Sequence, residues 1–140
     1  MTSVIAKIGR SKYRTELIAG GHAIIADEPH PVGTNEGPYP YDYLLSALGS
    51  CVAITIRMYA DRKEWPLEGV EVYLSQEKVK AEECDECTST KGFVQIIEKK
   101  IKLIGELDDA QRARLLDISD KCPVNRTLLS EIRINNSLIN

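Results

Sequence analysis

Four cysteines are the residues of this 140-residue chain that are best suited to chemistry: Cys51, Cys84, Cys87 and Cys122. The amino-terminal segment lacks both the apolar stretch and the small-residue cleavage pattern of a secretory signal, so we expect a cytoplasmic protein. In a reducing compartment, cysteines are more often catalytic, redox-active or metal-binding than structural disulfides. The cysteines therefore predict thiol or metal chemistry.

Cys122 carries the stronger local signal for reactivity. Pro123 suits the first turn of a helix and would place Cys122 at the helix start, where unpaired backbone N–H groups favour a thiolate. Lys121 and Arg126 would add positive charge, although either can equally be an ordinary surface residue. We therefore expect an electropositive setting for Cys122.

Cys51 lies within a long apolar segment, two residues after Gly49. The missing side chain of Gly49 would let another element approach the helix at this point. Most buried free cysteines are inert core residues, and that interpretation competes with a redox role. From spacing alone, Cys51 is either the redox partner of Cys122 or a packing residue.

Cys84 and Cys87 form a C-x2-C pair in a polar segment. Structural zinc needs four ligands, so one pair supplies only half of a site, and two chains could supply a complete one. A metal site across a dimer, a second redox dithiol and a pair of solvent-exposed spectators all remain open.

The composition predicts one folded domain over residues 1–140. Hydrophobic residues make up 43% and charged residues 28%, which are values typical of globular proteins. The formal net charge of −3 provides no basic excess for neutralising phosphates, so nucleic acid and anionic membrane surfaces are not expected partners. Small molecules and proteins are the partner classes that remain.

The hydrophobic pattern predicts an α+β fold with two antiparallel sheets. Residues 3–27 alternate loosely between apolar and polar positions around two glycine-containing breaks, as in three short strands joined by hairpins. Residues 70–79 and 93–104 have the pattern of two long strands, and residues 131–138 that of a closing strand.

A helix is predicted over residues 41–62, and Arg57 is its only charged residue between Tyr43 and Ala60. Such a helix must be buried on most sides, and its serine, threonine and arginine residues make it too polar for a convincing membrane span. A small domain cannot easily cover this helix alone, so burial against a second copy is expected. The pattern predicts a homodimer.

A second helix is predicted after Asp108, whose side chain would cap it reciprocally with Gln111. Leu115, Leu116 and Ile118 would form its buried face.

Three blocks of the sequence resemble the OsmC/Ohr family of peroxide-defence proteins, closest to its OsmC-like branch. They read GPYPYDYLLSALGSC at residues 37–51, WPLEGV at 65–70 and KCPVNRTL at 121–128. The resemblance extends from about His22 to the carboxyl terminus.

The resemblance implies an intertwined α+β homodimer in which antiparallel sheets enclose two long central helices. It also implies a thiol-dependent peroxidase that reduces organic hydroperoxides, with Cys51 as the peroxidatic cysteine and Cys122 as the resolving cysteine. An external dithiol would be the reductant, and no metal or other cofactor is implied. A redox sensor or a metal- or ligand-binding dimer with weak or no peroxidase activity is the alternative.

Two supporting positions depart from the family pattern. Tyr41 stands where family members carry a glutamate, and the adjacent Asp42 either replaces it by orienting an arginine or only favours the helix start. The activating arginine has no clear match, and Arg126 is the first candidate because it lies in a matched block. The departures predict a slow peroxidase, or one suited to a different electrophile.

Overall fold

The computed structural model describes residues 1–139 and has an α+β architecture. Two compact units make up the chain, Met1–Ser46 and the remainder from Ala47. The elements in chain order are β1 (Val4–Ile8), β2 (Thr15–Ala19), β3 (His22–Ala26), α1 (Pro40–Arg62), β4 (Leu67–Lys80), β5 (Phe93–Gly105), α2 (Asp109–Ser119) and α3 (Pro123–Leu129). The prediction of one domain over residues 1–140 stays a prediction.

The first unit contains an antiparallel sheet in the order β1-β2-β3, which confirms the three predicted strands. Ala19 pairs with His22, so only Gly20 and Gly21 connect β2 to β3. Both glycines have positive φ, 56° and 80°, and this tight turn needs that backbone conformation.

A buried carboxylate organises the loop after β3. Asp27 is 2% exposed and accepts hydrogen bonds from the N–H groups of Glu28 and Glu36 and from the Thr34 hydroxyl. Burial alone would raise the pKa of Asp27, but the hydrogen bonds lower it, and lowering is the net effect.

The second sheet is a long hairpin in which β4 pairs antiparallel with β5. Both strands cover the predicted ranges and extend them slightly. Alternate apolar residues of the hairpin pack against a buried cluster on α1 and α2. These packed hairpin residues are Val70, Val72, Leu74, Ile97, Ile101 and Leu103.

Helix α1 begins at Pro40, one residue before the predicted start, and ends at Arg62, as predicted. Within the second unit its buried residues are Leu48, Gly49, Val52, Ile56 and Ala60. A Cβ placed on Gly49 would lie 2.7 Å from Cδ1 of Leu74, so the glycine allows the close approach of β4.

Part of α1 remains uncovered in the single chain, because Ile54 is 57% and Met58 60% exposed. Of the described residues, only this helix is long and apolar enough to cross a membrane, with a mean hydropathy of 1.4 over its most apolar window. Only 28% of that window is buried within the chain. Much of the apolar surface of α1 is therefore exposed in the single chain.

Helix α2 begins with the predicted capping box. The Asp108 carboxylate accepts the Gln111 N–H at 2.7 Å, and the Gln111 side chain accepts the Asp108 N–H at 3.0 Å. Leu115 and Ile118 are buried, but Leu116 is 56% exposed, so its predicted place on the buried face is wrong. Residues one position apart on a helix are rotated by about 100°, which turns Leu116 away from the face that Leu115 and Ile118 share.

The closing strand predicted over residues 131–138 is also wrong, because this segment has no regular secondary structure. Ile134 and Leu138 are 89% and 96% exposed. A strand requires a neighbour for its backbone N–H and C=O groups, and no strand of the described residues pairs with this segment.

Candidate active site

Cys122 occupies the amino-terminal cap of α3, as predicted, with Pro123 in the first turn. Its sulfur accepts a hydrogen bond from the Asn125 N–H at 3.2 Å. The side chain has no solvent exposure. Cys122 therefore lies at a helix start and inside the core at the same time.

Cys51 lies on α1, half-buried, and packs against the same apolar cluster that contains Cys122. Cys51 lies close enough to Cys122 to help raise the pKa of the Cys122 thiol. The fold thus brings together two free thiols that are far apart in the sequence.

The pKa of the Cys122 thiol is raised above its ordinary value. Burial is the main cause, and the adjacent Cys51 adds to it, whereas the Asn125 N–H and the charge of Lys99 act in the opposite direction. The expectation that the helix start would favour a Cys122 thiolate is therefore wrong in its net result. Loss of solvation outweighs the backbone N–H groups that face the sulfur.

Lys99 is a residue of this site that the sequence interpretation missed. Its side chain is 14% exposed, and its ammonium group donates to the Ser119 carbonyl at 3.2 Å, the Asp120 carboxylate at 3.0 Å and the Asn125 side-chain oxygen at 3.2 Å. It is the cation whose charge lowers the Cys122 pKa. These bonds hold the end of α2 and the start of α3 together around the thiol.

A signal for Lys99 was present in the sequence. Residues two apart on a strand face the same side of a sheet, and Lys99 lies in register with the inward-facing Ile97 and Ile101. A lysine at an inward position of a long strand indicates a buried partner.

Arg126 and Asp42 are the other two residues to which the sequence analysis gave catalytic roles. Arg126 is exposed, and within the described chain its side chain makes no hydrogen bond or ion pair, although its backbone N–H donates to the Cys122 carbonyl at 3.1 Å. The Asp42 carboxylate accepts the Tyr39 N–H at 3.0 Å at the start of α1. The catalytic roles predicted for Arg126 and Asp42 stay predictions.

Arg57, the arginine of α1 closest in sequence to Cys51, is engaged elsewhere. Its guanidinium donates to the Asp61 carboxylate at 2.9 Å and to the Leu67 carbonyl at 2.6 Å. These bonds tie the last turns of α1 to the first residue of β4.

Cys84 and Cys87 form a disulfide in the connection between β4 and β5, with Cα atoms 5.5 Å apart. Within residues 1–139, no group of three or more histidine, cysteine, aspartate or glutamate side chains is arranged to hold a metal ion. The metal, redox and spectator interpretations of this pair stay predictions.

The family model for OsmC-like proteins matches residues 33–137 of the chain. No curated protein sequence matches this chain.

Solved structures share the fold at low sequence identity. An osmotic stress-induced and detoxification response protein of Psychrobacter arcticus is 22% identical, with a TM-score of 0.69 over 91% of this chain and 88% of that one. An OsmC-like protein of Mycoplasma pneumoniae is 18% identical, with a TM-score of 0.69 over 100% and 98%.

A third similar structure, from Legionella pneumophila, is described as an organic hydroperoxide resistance protein and predicted redox protein. It is 18% identical, with a TM-score of 0.65 over 91% of this chain and 88% of that one. At these identities the likeness concerns the fold.

Proposed function

The chain belongs to the OsmC-like protein family, and on that basis we propose that it is a thiol-dependent hydroperoxide reductase. The packing of Cys51 and Cys122 in one apolar cluster is the observation that supports this proposal most directly. Two free thiols in the same cluster, one of them partly accessible, can form and break one disulfide without a large rearrangement.

Cys51 is the attacking residue in this proposal, because it is the more accessible of the two sulfurs. The Cys51 thiolate attacks the terminal oxygen of R–O–OH, and the O–O bond breaks. Its electron pair leaves with the RO group, which takes up a proton and departs as the alcohol. Cys51 is left as a sulfenic acid.

Cys122 then resolves the sulfenic acid. A raised pKa keeps Cys122 protonated during the first step, so the two sulfurs do not compete for the peroxide. In the second step the Cys122 sulfur attacks the Cys51 sulfur, the S–O bond breaks, and the proton of Cys122 leaves with the hydroxyl group as water. The product is a Cys51–Cys122 disulfide.

An external dithiol completes the cycle. Two successive exchange steps move two electrons and two protons from the donor to the protein, regenerating both thiols and leaving the donor as a disulfide. The proposed reaction requires no metal or organic cofactor.

The proposal includes a cytoplasmic homodimer. Ile54 and Met58, two apolar residues that α1 exposes, lie on one face of the helix, and a second copy of the same chain would cover them. Organic hydroperoxides are the proposed substrates because proteins of the same fold carry names that refer to resistance against them.

A redox sensor is the second candidate. The burial of Cys122 and the exposed side chain of Arg126 favour slow turnover, because no arginine is paired with either thiol in the described residues. A protein of this kind would form the Cys51–Cys122 disulfide once and keep it as a signal.

Consumption of cumene hydroperoxide in the presence of dithiothreitol tests the proposal. We expect Cys51→Ser to abolish turnover. Cys122→Ser should still form the sulfenic acid, detectable with a dimedone probe, but should form no disulfide between these positions. Cys84→Ser serves as the matched control and should retain turnover.

If Cys51→Ser consumes peroxide as fast as the parent, the reductase proposal fails. A single stoichiometric oxidation in the parent, without turnover in excess dithiol, would support the sensor instead.

A further inference from the structure

The tip of the β4–β5 hairpin is an ordered structure that carries a disulfide. Strand pairing continues to Lys80 and Phe93, and beyond it the Ala81 N–H donates to the Gly92 carbonyl at 2.9 Å. A single 3-10 turn over Ala81–Glu83 leads to Cys84, whose N–H donates to the Ala81 carbonyl at 3.2 Å. The disulfide with Cys87 lies just after this turn.

This disulfide does not connect the two strands. Both cysteines follow the end of β4, three residues apart, so the bond closes a very short loop. The stabilisation from closing a loop increases with loop length, so a loop of this size gains little. The register of the hairpin is already held by continuous pairing between Leu67–Lys80 and Phe93–Gly105. A structural role therefore explains the pair poorly.

The disulfide is partly accessible, and the hairpin tip has an excess of carboxylates over its two flanking lysines, Lys80 and Lys91. Cys84 and Cys87 are half-buried, whereas Cys122 is fully buried. Four exposed carboxylate residues surround the pair in the sequence. They are Glu82, Glu83, Asp85 and Glu86.

The charge of the tip affects which thiols can react with the disulfide. The attacking species in disulfide exchange is a thiolate. A donor with an additional negative charge is repelled by the four carboxylates, whereas a donor with a positive charge is attracted. The surface thus discriminates between reductants of different charge.

We propose that Cys84 and Cys87 form a second thiol–disulfide exchange site, distinct from Cys51 and Cys122, that accepts an electron pair from an external dithiol and selects against anionic donors. The donor thiolate attacks one sulfur, the bond between Cys84 and Cys87 breaks, and the released sulfur takes up a proton. The second donor thiol then attacks the mixed disulfide and releases the other protein sulfur. Two electrons and two protons enter the protein, and the donor leaves as a disulfide.

The test uses the full chain with Cys51→Ser and Cys122→Ser, so that only Cys84 and Cys87 remain. The oxidised protein is treated with cysteamine, whose amine is cationic, or with 2-mercaptoethanesulfonate, which is anionic, at equal thiolate concentration. Alkylation and mass spectrometry count the free thiols. We expect cysteamine to react at least about threefold faster at low salt, and the difference to shrink at high salt because ions screen surface charges.

A charge-neutralised variant is the matched control. It carries Glu82→Gln, Glu83→Gln, Asp85→Asn and Glu86→Gln on the same background, and we expect both donors to react with it at similar rates. Peptide mapping of Cys84 and Cys87 in the parent protein gives the same readout if the double serine variant folds poorly.

Three results would overturn the proposal. They are a disulfide that dithiothreitol opens only in denaturant, equal rates with both donors at low salt, and stoichiometric zinc bound by the reduced pair. Because the active-site sulfurs are absent from the variant, the outcome does not depend on the reductase proposal.

Discussion

Cys122 is subject to opposing influences from its neighbours, and their balance sets its chemistry. Burial and the adjacent Cys51 raise its pKa, whereas Asn125 and Lys99 lower it. A resolving cysteine that stays protonated until the sulfenic acid forms is consistent with this balance, because only the thiolate is a strong nucleophile.

Replacing Lys99 with methionine should slow closure of the Cys51–Cys122 disulfide. The change removes the cation that lowers the Cys122 pKa, and we expect the rate after one equivalent of peroxide to fall by up to about tenfold, since charge-assisted contacts are each worth about 1.5 kcal/mol. Intrinsic fluorescence or quenched-flow alkylation would follow the reaction.

Lys121→Met is the control, because Lys121 is adjacent to Cys122 in sequence but exposed. Lys99→Arg should restore much of the rate and shift its pH profile back toward that of the parent. Equal rates in Lys99→Met and Lys121→Met would contradict an electrostatic role for Lys99.

The raised pKa of Cys122 also predicts a loss of stability at alkaline pH. At a pH below the ordinary thiol pKa of 9.0, Cys122 is protonated in the folded and unfolded states alike. Above it, the unfolded chain ionises first, so the free energy of unfolding decreases as the pH rises toward the folded-state pKa.

Urea titrations from pH 7 to pH 10.5 measure this effect. Cys122→Ala should be less stable throughout, by about 1–3 kcal/mol for a truncated core side chain, but should show a shallower alkaline decrease. Parallel curves above pH 9 would show that Cys122 is not the group responsible.

Helix α2 shows how a one-residue difference in position decides burial. Leu115 and Leu116 are consecutive leucines, but the Leu115 side chain has no solvent exposure and Leu116 is 56% exposed. Leu115→Ala should reduce the free energy of unfolding by about 2–5 kcal/mol because it leaves a cavity. Leu116→Ala should change it by about 0.5 kcal/mol or less.

Chemical denaturation of both variants measures this difference. Similar losses of unfolding free energy in the two variants would mean that α2 packs against the core with a different face.

At the scale of the whole molecule, α1 raises the question of what covers its apolar residues. Ile54 and Met58 are four positions apart and lie on the same face. We expect Ile54→Glu combined with Met58→Glu to convert the proposed dimer to a monomer, because two carboxylates would be buried without partners.

Analytical ultracentrifugation at about 50 µM, far above the dissociation constants usual for obligate dimers, would show the change in mass. Leu138→Glu is the control, since Leu138 is 96% exposed in the irregular carboxyl-terminal segment. A parent protein that sediments as a monomer would contradict the homodimer.

Much of the secondary structure follows from local signals that the sequence contains. The Gly20–Gly21 turn, the capping box of Asp108 and Gln111, and the proline after Cys122 each specify a boundary through backbone chemistry within a few residues. The prediction of a closing strand was wrong because a strand needs a partner strand elsewhere in the chain. Alternation of apolar and polar residues alone does not provide one.

The sequence by itself determined that this chain is an α+β protein, that Cys122 begins a helix and that its motif blocks are those of an OsmC-like protein. Only the tertiary structure decided that Cys51 and Cys122 pack in one apolar cluster, that burial raises the pKa of the Cys122 thiol, and that Lys99 is the cation that lowers it. The reason is that helix caps and turns depend on neighbours along the chain, whereas contact, solvation and charge depend on residues that folding brings together.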